Sequence, residues 1–523
     1  MEYIVGLDVG TTNIKAAAYD LSGNLFAFAA RKTVTHHPRP EWSEYDPEEI
    51  WGSVASCLRE ISAKTGAGNI KAIGVASMAE AGVPLNRRGK PVHPVIAWFD
   101  LRSEYLADEL ADRLDAGGPQ KPPAGQKAED SVRRGKETLY SITGQFVSGK
   151  FGISKILWIA RNHPEAFESV SKWLSVSDYI LYRLSGEYAT DYSLASRTAA
   201  FDITGLEWSR RILEAAGLSK DIMPGAYPGG TVIGHTSRVC CGETGINRGV
   251  PVVTGGHDHA CAAVAMSIFE PGVLLDSMGT AEATIAAVER PVLTKEAYES
   301  GICVYPHCGK RLYRAITSIQ ACGALVEWFI AKFGNGFGKG AMTASADVYE
   351  HFFALAQKAG SDAAGIYFIP YLRGLMEQPS ARGAFIGVRD RHGAGDFAHA
   401  LIEGAAFELK RRIQTCEKLF GGDYGIVRIV GGAARSEYWM ELKTNVLGKV
   451  VQVPENNEAT CCGAALLGGM GAGLVEREGD LRRFNRVKRE RRPDALEKEL
   501  LGEKYLRYLD IRSTLLELDE KYK

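Results

Sequence analysis

The stretch Leu7-Asp8-Val9-Gly10-Thr11-Thr12-Asn13-Ile14 constrains this chain more than any other. It follows the apolar run Tyr3-Ile4-Val5-Gly6 and leads into Lys15-Ala16-Ala17-Ala18-Tyr19-Asp20, which reads as strand, tight turn, strand. Gly10 permits a backbone conformation that a side chain would block. The residues after it offer amide N–H groups and two hydroxyls to an anion. Asp8 sets a carboxylate beside that nest, which repels a phosphate unless a cation sits between them. Mg²⁺ fits, because it keeps its waters and takes few protein ligands. The segment alone reads either as a nucleotide phosphate site with metal or as an ordinary hairpin. A second copy favours the former. Val273-Leu274-Leu275-Asp276-Ser277-Met278-Gly279-Thr280-Ala281 repeats apolar strand, Asp, Gly-Thr and return strand. Two such hairpins in two chain halves imply a nucleotide clamped between two related domains.

Gly144-Gln145-Phe146-Val147-Ser148-Gly149-Lys150 imitates a single-loop NTPase motif, but Phe151 stands where the metal-binding hydroxyl belongs and no strand leads into it. The length, 523 residues, calls for two domains or more. A formal net charge of −1 argues against a general nucleic-acid or membrane-surface role. The ten cysteines form no CxxC pair and no zinc spacing, so they read as reduced, structural thiols. Without a signal-peptide series at the start or an apolar run of ~20 residues, a cytoplasmic chain is expected.

Strand-like runs alternate with helical ones, which means α/β. Ala72–Ala76 and Val95–Trp98 read as strands, and Asp46-Pro47-Glu48-Glu49 opens a helix to Ser62 with a cap, a proline at the first turn and early acids. Residues from about Leu114 to Lys136 are polar and rich in Gly, Pro and charge, and read as an exposed insertion without a core. Gly249–Gly256 reads as a strand that delivers the chain to the interdomain cleft. The domain division is placed there, at 1–255 and 256–523. The stretch Leu496–Leu518 reads as a solvated helix on the second domain, with a homodimer contact as the alternative.

Gly255-Gly256-His257-Asp258-His259 holds the candidate catalytic acid. The glycines bring backbone close to a ligand, and the strand end places Asp258 in a crevice. Phosphoryl transfer to a hydroxyl needs a carboxylate that accepts the hydroxyl proton. The other readings are a helix-capping Asp258, or a metal site shared with His257 and His259 that lacks a visible third ligand. Val430-Gly431-Gly432-Ala433-Ala434-Arg435-Ser436 follows a strand and precedes a helix, so it suits a purine and phosphates approaching backbone at a helix start, or merely a turn of small residues.

A longer match settles the class. Gly383-Ala384-Phe385-Ile386-Gly387-Val388, seven residues, then Asp396-Phe397-Ala398-His399-Ala400-Leu401-Ile402-Glu403 fits the second FGGY carbohydrate-kinase signature at every constrained position. The first signature has its Lys155 and Trp158, while Gly152 falls where Pro, Ser or Thr is usual. With Asp8–Asn13, Asp276–Ala281, Val430–Ala433 and Glu458–Ala465 in order, the chain from Tyr3 to about Gly473 resembles this family, within the superfamily of sugar kinases, actin and heat-shock chaperone ATPases. The resemblance implies two ribonuclease-H-like, actin-like ATPase domains flanking a deep nucleotide and sugar cleft. It implies ATP and Mg²⁺ as cofactors, with small-molecule sugar and ATP as the binding partners. Thr11, Thr12, Asn13 and Lys15 then face the ATP phosphates, and Asp8 sits near Mg²⁺ through water. Gly279 and Thr280 form the opposing turn. Gly323 lies near the nucleotide, and Gly431, Gly432, Ala433 and Ser436 line the adenosine. Asp258 matches the general base and touches the acceptor.

The match thins at the sugar end. Glycerol kinases carry Gln-Arg-Glu where this chain has Met78-Ala79-Glu80, and xylulokinases carry Gln-Met-His. Glu80 keeps a carboxylate for acceptor hydroxyls, and Ala79 removes the arginine that glycerol kinases use. Met78 flanks the acceptor. In Ala97-Trp98-Phe99-Asp100-Leu101-Arg102, Asp100 either touches substrate or pairs with Arg102 as scaffold. The expected reaction is transfer of the ATP γ-phosphate to a five- or six-carbon ketose of the xylulose, ribulose, fuculose or tagatose type, with a polyol or sugar acid as the alternative. Other classes are a chaperone-like ATPase, which would carry a peptide-binding β domain, and a non-catalytic sugar sensor, which would carry a DNA-binding module. Neither module is read in this sequence.

Overall fold

The computed structural model describes residues 1–116, 128–269, 272–309, 312–333, 345–360, 365–455, 458–475, 481 and 483–522. In the first half, β1 (Tyr3–Val9), β2 (Asn13–Asp20) and β3 (Leu25–Lys32) run antiparallel as a meander. Helix α1 (Pro47–Thr65) follows, capped by Asp46, whose side chain accepts from the Glu48 and Glu49 amides. β4 (Ile70–Ser77) then joins β1 in parallel. Helices α2 (Glu104–Asp115), α3 (Ala128–Thr143), α4 (Gly152–Asn162) and the short α5 (Tyr192–Ser196) lead to β5 (Val232–His235) and β6 (Pro251–His257). β6 runs parallel to β4 and completes a sheet of order β5-β6-β4-β1-β2-β3.

Helix α6 (Asp258–Ala265) leaves the end of β6. The second half repeats the pattern. β7 (Val273–Met278) and β8 (Glu282–Val288) form the hairpin, joined by β9 (Cys303–Pro306) and β10 (Tyr313–Ile319). After α7 (Gly323–Phe333), α8 (Ser345–Ala359) and α9 (Ala394–Phe420), strand β11 (Ile426–Val430) pairs parallel with β7. Helix α10 (Glu437–Leu447), β12 (Val450–Pro454), α11 (Ala459–Gly471), β13 (Val487–Arg491) and α12 (Ala495–Lys521) finish the chain. The sheet order is β9-β10-β8-β7-β11-β12-β13. Both sheets therefore carry a hairpin whose first strand pairs with parallel strands on its other side, as expected of two related ribonuclease-H-like α/β domains.

Helix α11 comes from the second half but packs on β1, β4 and β6 of the first sheet. Glycines make this approach possible. A Cβ on Gly6 would lie 1.8 Å from the Cys461 carbonyl oxygen, and one on Gly74 would lie 1.8 Å from that of Ala464. Gly463 does the same for α6, where a Cβ would meet the Cys261 oxygen at 1.8 Å. The small-residue run of α11 thus fits between the first sheet and α6, with Cys461 and Cys462 buried and in no disulfide.

Two expectations need correction. The insertion at about 114–136, read as exposed, is packed in part where it is described, although Arg133 is exposed. Leu114 ends α2 buried, Ser131 is fully buried, and a Cβ on Gly135 would meet the Ala111 carbonyl oxygen at 1.7 Å. Arg134 pairs with Asp115 at 2.8 Å and Lys136 with Asp108 at 2.6 Å. The charges that suggested a solvated loop are matched across an antiparallel helix pair. The remainder, 117–127, lies outside the described residues. The tail helix, read as solvated, sits on the second half as expected but buries Leu501, Tyr505 and Tyr508, the two tyrosines against Phe407 of α9. Among the described residues, no helix is long and apolar enough to cross a membrane.

Candidate active site

The first hairpin turns over Gly10, whose amide donates to the Asn13 carbonyl at 3.1 Å. Gly10 is not left-handed, and the space around it is tight: a Cβ would sit 3.0 Å from the Asn13 oxygen. Thr33 braces the turn, its amide donating to the Thr12 oxygen and its hydroxyl to the Gly10 oxygen. Thr12 is exposed, and the Thr11 hydroxyl accepts from the Trp98 indole at 2.9 Å. Lys15 does not project freely. Its ammonium pairs with Glu458 at 2.7 Å, at the start of α11, and so ties the two halves together.

Asp8 is the penultimate residue of β1, with its Oδ1 buried and without a hydrogen-bond partner. Burial, then the facing Asp258 carboxylate, pushes its carboxyl up to about 7; Lys15 opposes this and Glu458 adds to it. An orphaned carboxylate oxygen opposite a second acid fits a hydrated divalent cation. Among the described residues no group of three or more His, Cys, Asp or Glu could hold a metal alone. That suits Mg²⁺, which is held by one or two carboxylates, waters and substrate phosphates.

The second hairpin is built alike but electrostatically closed. Asp276 stands one residue further from its turn than Asp8 does, is fully buried and pairs with Lys443 at 2.6 Å, and Lys443 also meets Glu282. Gly279 and Thr280 turn the chain. The Gly323 amide donates to the Gly279 oxygen at 3.0 Å, so α7 starts against the turn. A cavity of about 670 Å³ opens beside it. Gly279, Thr280, Gly323, Gly432, Ala433 and Ser436 line it together. Gly431 stands behind, at φ +108° and with no room for a Cβ against the Met278 oxygen. The sequence reading missed the far wall, where α7 and α8 supply Val326, Phe353 and Gln357. These are ordinary helix residues, and no spacing marks them.

Asp258 is the first residue of α6, with His257 in the cap position, and its Oδ1 accepts from the adjacent His259 amide at 2.6 Å. The His257 Nε2 lies 2.9 Å from the same oxygen, and the His259 ring stacks on that of His257. Burial pushes the His257 imidazole down to about 3, so the ring is neutral at pH 7 and donates Nε2–H. Burial acts to raise the Asp258 carboxyl, but the two histidines and the His259 amide outweigh it and hold the group below its ordinary value. The protein contacts fall on Oδ1, which leaves Oδ2. Gly256 makes the strand end possible. At φ +143° its Cβ would strike the Cys308 sulfur and the Ser193 hydroxyl, and that hydroxyl accepts from the His257 amide at 2.9 Å.

Met78 is buried, and its amide is tied to the Val9 carbonyl beside β1. Glu80, at φ +61°, pairs through Oε1 with Arg197, a residue the sequence reading missed because it caps a five-residue helix with no motif around it. Asp100 is spent on scaffold. It accepts from the Ser43 amide at 2.6 Å and from Arg102 on both oxygens, and Arg102 also meets Glu44 and lies over the Trp42 ring. Of the two roles left open for Asp100, the geometry is that of the ion pair. In the rejected NTPase-like loop, the Gly149 amide is already taken by the Glu104 carboxylate.

Known proteins resemble the chain along most of its length. The model for the FGGY family of carbohydrate kinases, N-terminal domain, matches residues 3–121 and 126–265, and that for the C-terminal domain matches 274–472. A xylulose kinase of Escherichia coli K12 is 29% identical over 448 residues, covering 85% of each chain. A glycerol kinase of Geobacter sp. M21 is 30% identical over 495 residues, covering 91% of each. The crystal structure of xylulose kinase from Rhodospirillum rubrum superposes with a TM-score of 0.87 at 25% identity, covering 99% of this chain and all of that one. With both domain models matched along most of its length, the chain belongs to the FGGY family of carbohydrate kinases and is an ATP-dependent sugar kinase.

Proposed function

We propose that the protein transfers the γ-phosphate of ATP to a hydroxyl of a five- or six-carbon ketose, with Asp258 as general base. The observation that carries this reading is the Asp258 carboxylate: ionised, fixed through Oδ1 and open at Oδ2, opposite Asp8. The adenosine lies in the cavity between α7, α8 and α10, its phosphates run between the two hairpin turns, and the acceptor lies between Glu80 and Asp258. Asp258 Oδ2 accepts the hydroxyl proton as the oxygen attacks phosphorus. A carboxyl held below its ordinary value is a weak base, which suits a loose transition state in which the proton moves late. Neutral His257 fixes the carboxylate without protonating it. Glu80 accepts from other acceptor hydroxyls. A Mg²⁺ near Asp8 would neutralise phosphate charge. Closure of the cleft excludes water, which a competent base would otherwise activate against ATP.

A ketose is favoured over glycerol because Ala79 stands where glycerol kinases carry an arginine, and similar proteins include xylulose kinases as well as glycerol kinases. The test is a coupled assay with ATP and Mg²⁺ across ketoses, polyols and sugar acids. A ketose should give the highest kcat/KM, and a polyol or acid that exceeds every ketose overturns the substrate class.

A further inference from the structure

Arg197 takes no part in the steps above, yet it lies at the centre of the acceptor end. It is only 8% exposed. Its Nη2 meets Glu80 Oε1, and its Nη1 lies 3.5 Å from the Gln145 side-chain oxygen. The guanidinium sits between two rings, 5.0 Å from the centroid of Phe151 and 4.6 Å from that of Tyr305. Arg197, Gln145 and Phe151 belong to the first half and Tyr305 to the second, so the group is held from both sides of the cleft.

Glu80 needs such a holder. Its backbone is left-handed at φ +61°, a conformation that a non-glycine residue keeps only where its surroundings impose it. Its neighbours Met78, Ala79 and Ala81 are buried and uncharged and offer the carboxylate no side-chain donor. The cation that fixes it arrives from 117 residues further along the chain. Arg197 takes one carboxylate oxygen and leaves Oε2 for the acceptor. A planar fork pinned between two rings sets direction as well as charge, which an ammonium on a flexible stem does less well.

We propose that Arg197 is the positioning residue of the acceptor pocket: it clamps Glu80 so that the free oxygen faces the acceptor hydroxyls, and it sets acceptor affinity without acting on ATP. This rests on the reading of the Glu80–Asp258 space as the acceptor site.

The experiment is steady-state kinetics of Arg197→Gln and Arg197→Lys, with ATP and the acceptor found in the substrate panel varied separately, alongside melting curves. Loss of the clamp should raise the acceptor KM roughly ten-fold or more in Arg197→Gln, as expected for a charge-assisted pair, and leave the ATP KM within about two-fold. Arg197→Lys should fall between that variant and the wild type. Combining Arg197→Gln with Glu80→Gln should raise the acceptor KM no further than the worse single change, because one interaction is being removed twice. An unchanged acceptor KM in a folded variant overturns the proposal. So does an equal rise in both KM values with a lowered melting temperature that lysine does not restore. If Arg197→Gln does not fold, the lysine variant decides on the same criteria. A wild type that phosphorylates no member of the panel overturns the acceptor-site reading itself, a result seen before any variant is made.

Discussion

Asp8 carries a charge that the protein without nucleotide has no reason to welcome, and this can be measured without any substrate. Its carboxyl stands at about 7, mainly through burial and then through Asp258. Between about pH 4 and 7 the native state therefore holds a proton that the unfolded chain has released. The contribution of this group to stability is fully present at low pH and is lost as pH rises through that window. At about 1.36 kcal/mol per pKa unit the rise sets a ceiling of ~4 kcal/mol, and since Asp8 retains some access to solvent, ~1–3 kcal/mol is expected. Asp8→Asn removes the charge and keeps the shape. The variant should melt a few degrees above the wild type at pH 8 and level with it near pH 4–5. Saturating Mg²⁺ with a nonhydrolysable ATP analogue should stabilise the wild type at pH 8 more than the variant, because the ion gains from the carboxylate that Asn lacks. Thermal melts at both pH values, with and without those ligands, decide the matter. A variant less stable than the wild type by the same amount at both pH values would make Asp8 an ordinary structural acid and remove the cation argument.

Asp258→Asn should cut kcat by ~10²–10⁴ with the ATP KM nearly unchanged, since the cavity proposed for the adenosine is built from other elements; near-normal turnover would dismiss Asp258 as base. Lys443→Met leaves Asp276 and Glu282 buried without their cation and should cost ~3–5 kcal/mol, read as a large fall in melting temperature. Gly74→Ala places a methyl group against the Ala464 carbonyl and should give insoluble or poorly folded protein, whereas Gly52→Ala, with nothing near its added Cβ, should be silent. Deleting 128–136 should unfold the α2–α3 pair and lower the melting temperature, because Ser131 and Gly135 are packed inside it.

The parts of the site that lie on the backbone were legible in the sequence. Both turns, the strand end at Asp258 and the small-residue loop at Gly432 need glycine or small residues at fixed places, and those needs show as motifs. What was hidden is what side chains do across sequence distance. The Glu80–Arg197 pair spans elements that no periodicity connects. The charge of Asp276 looks like that of Asp8 until Lys443 is seen beside it. The α2–α3 pair failed for a related reason: composition counts charges but does not say that Asp115 meets Arg134.

The two hairpins are not equivalent at their aspartates. Asp8 is the last but one paired residue of β1, whereas Asp276 is the last but two of β7, so the alternation of side chains along a strand puts Ser277, not Asp276, at the register position of Asp8. Beneath the second hairpin a lysine from α10 pairs with both Asp276 and Glu282, and burial, then Glu282, pushes the Asp276 carboxyl well above its ordinary value, so that both acids are closed off around one ammonium. That half sets no free carboxylate of Asp276 at its turn, and the half-open cavity beside it, with apolar and polar walls, is the one proposed for the adenosine. In the first half no side chain reaches the Asp8 Oδ1, and the nearby Lys15 is taken by Glu458. The unmet charge faces Asp258. On the proposed function, a bare carboxylate at both turns would place excess negative charge around the phosphates, and one at neither would hold no cation. The one-residue shift and the closed group at Lys443 leave a bare aspartate at a single turn, as that function requires.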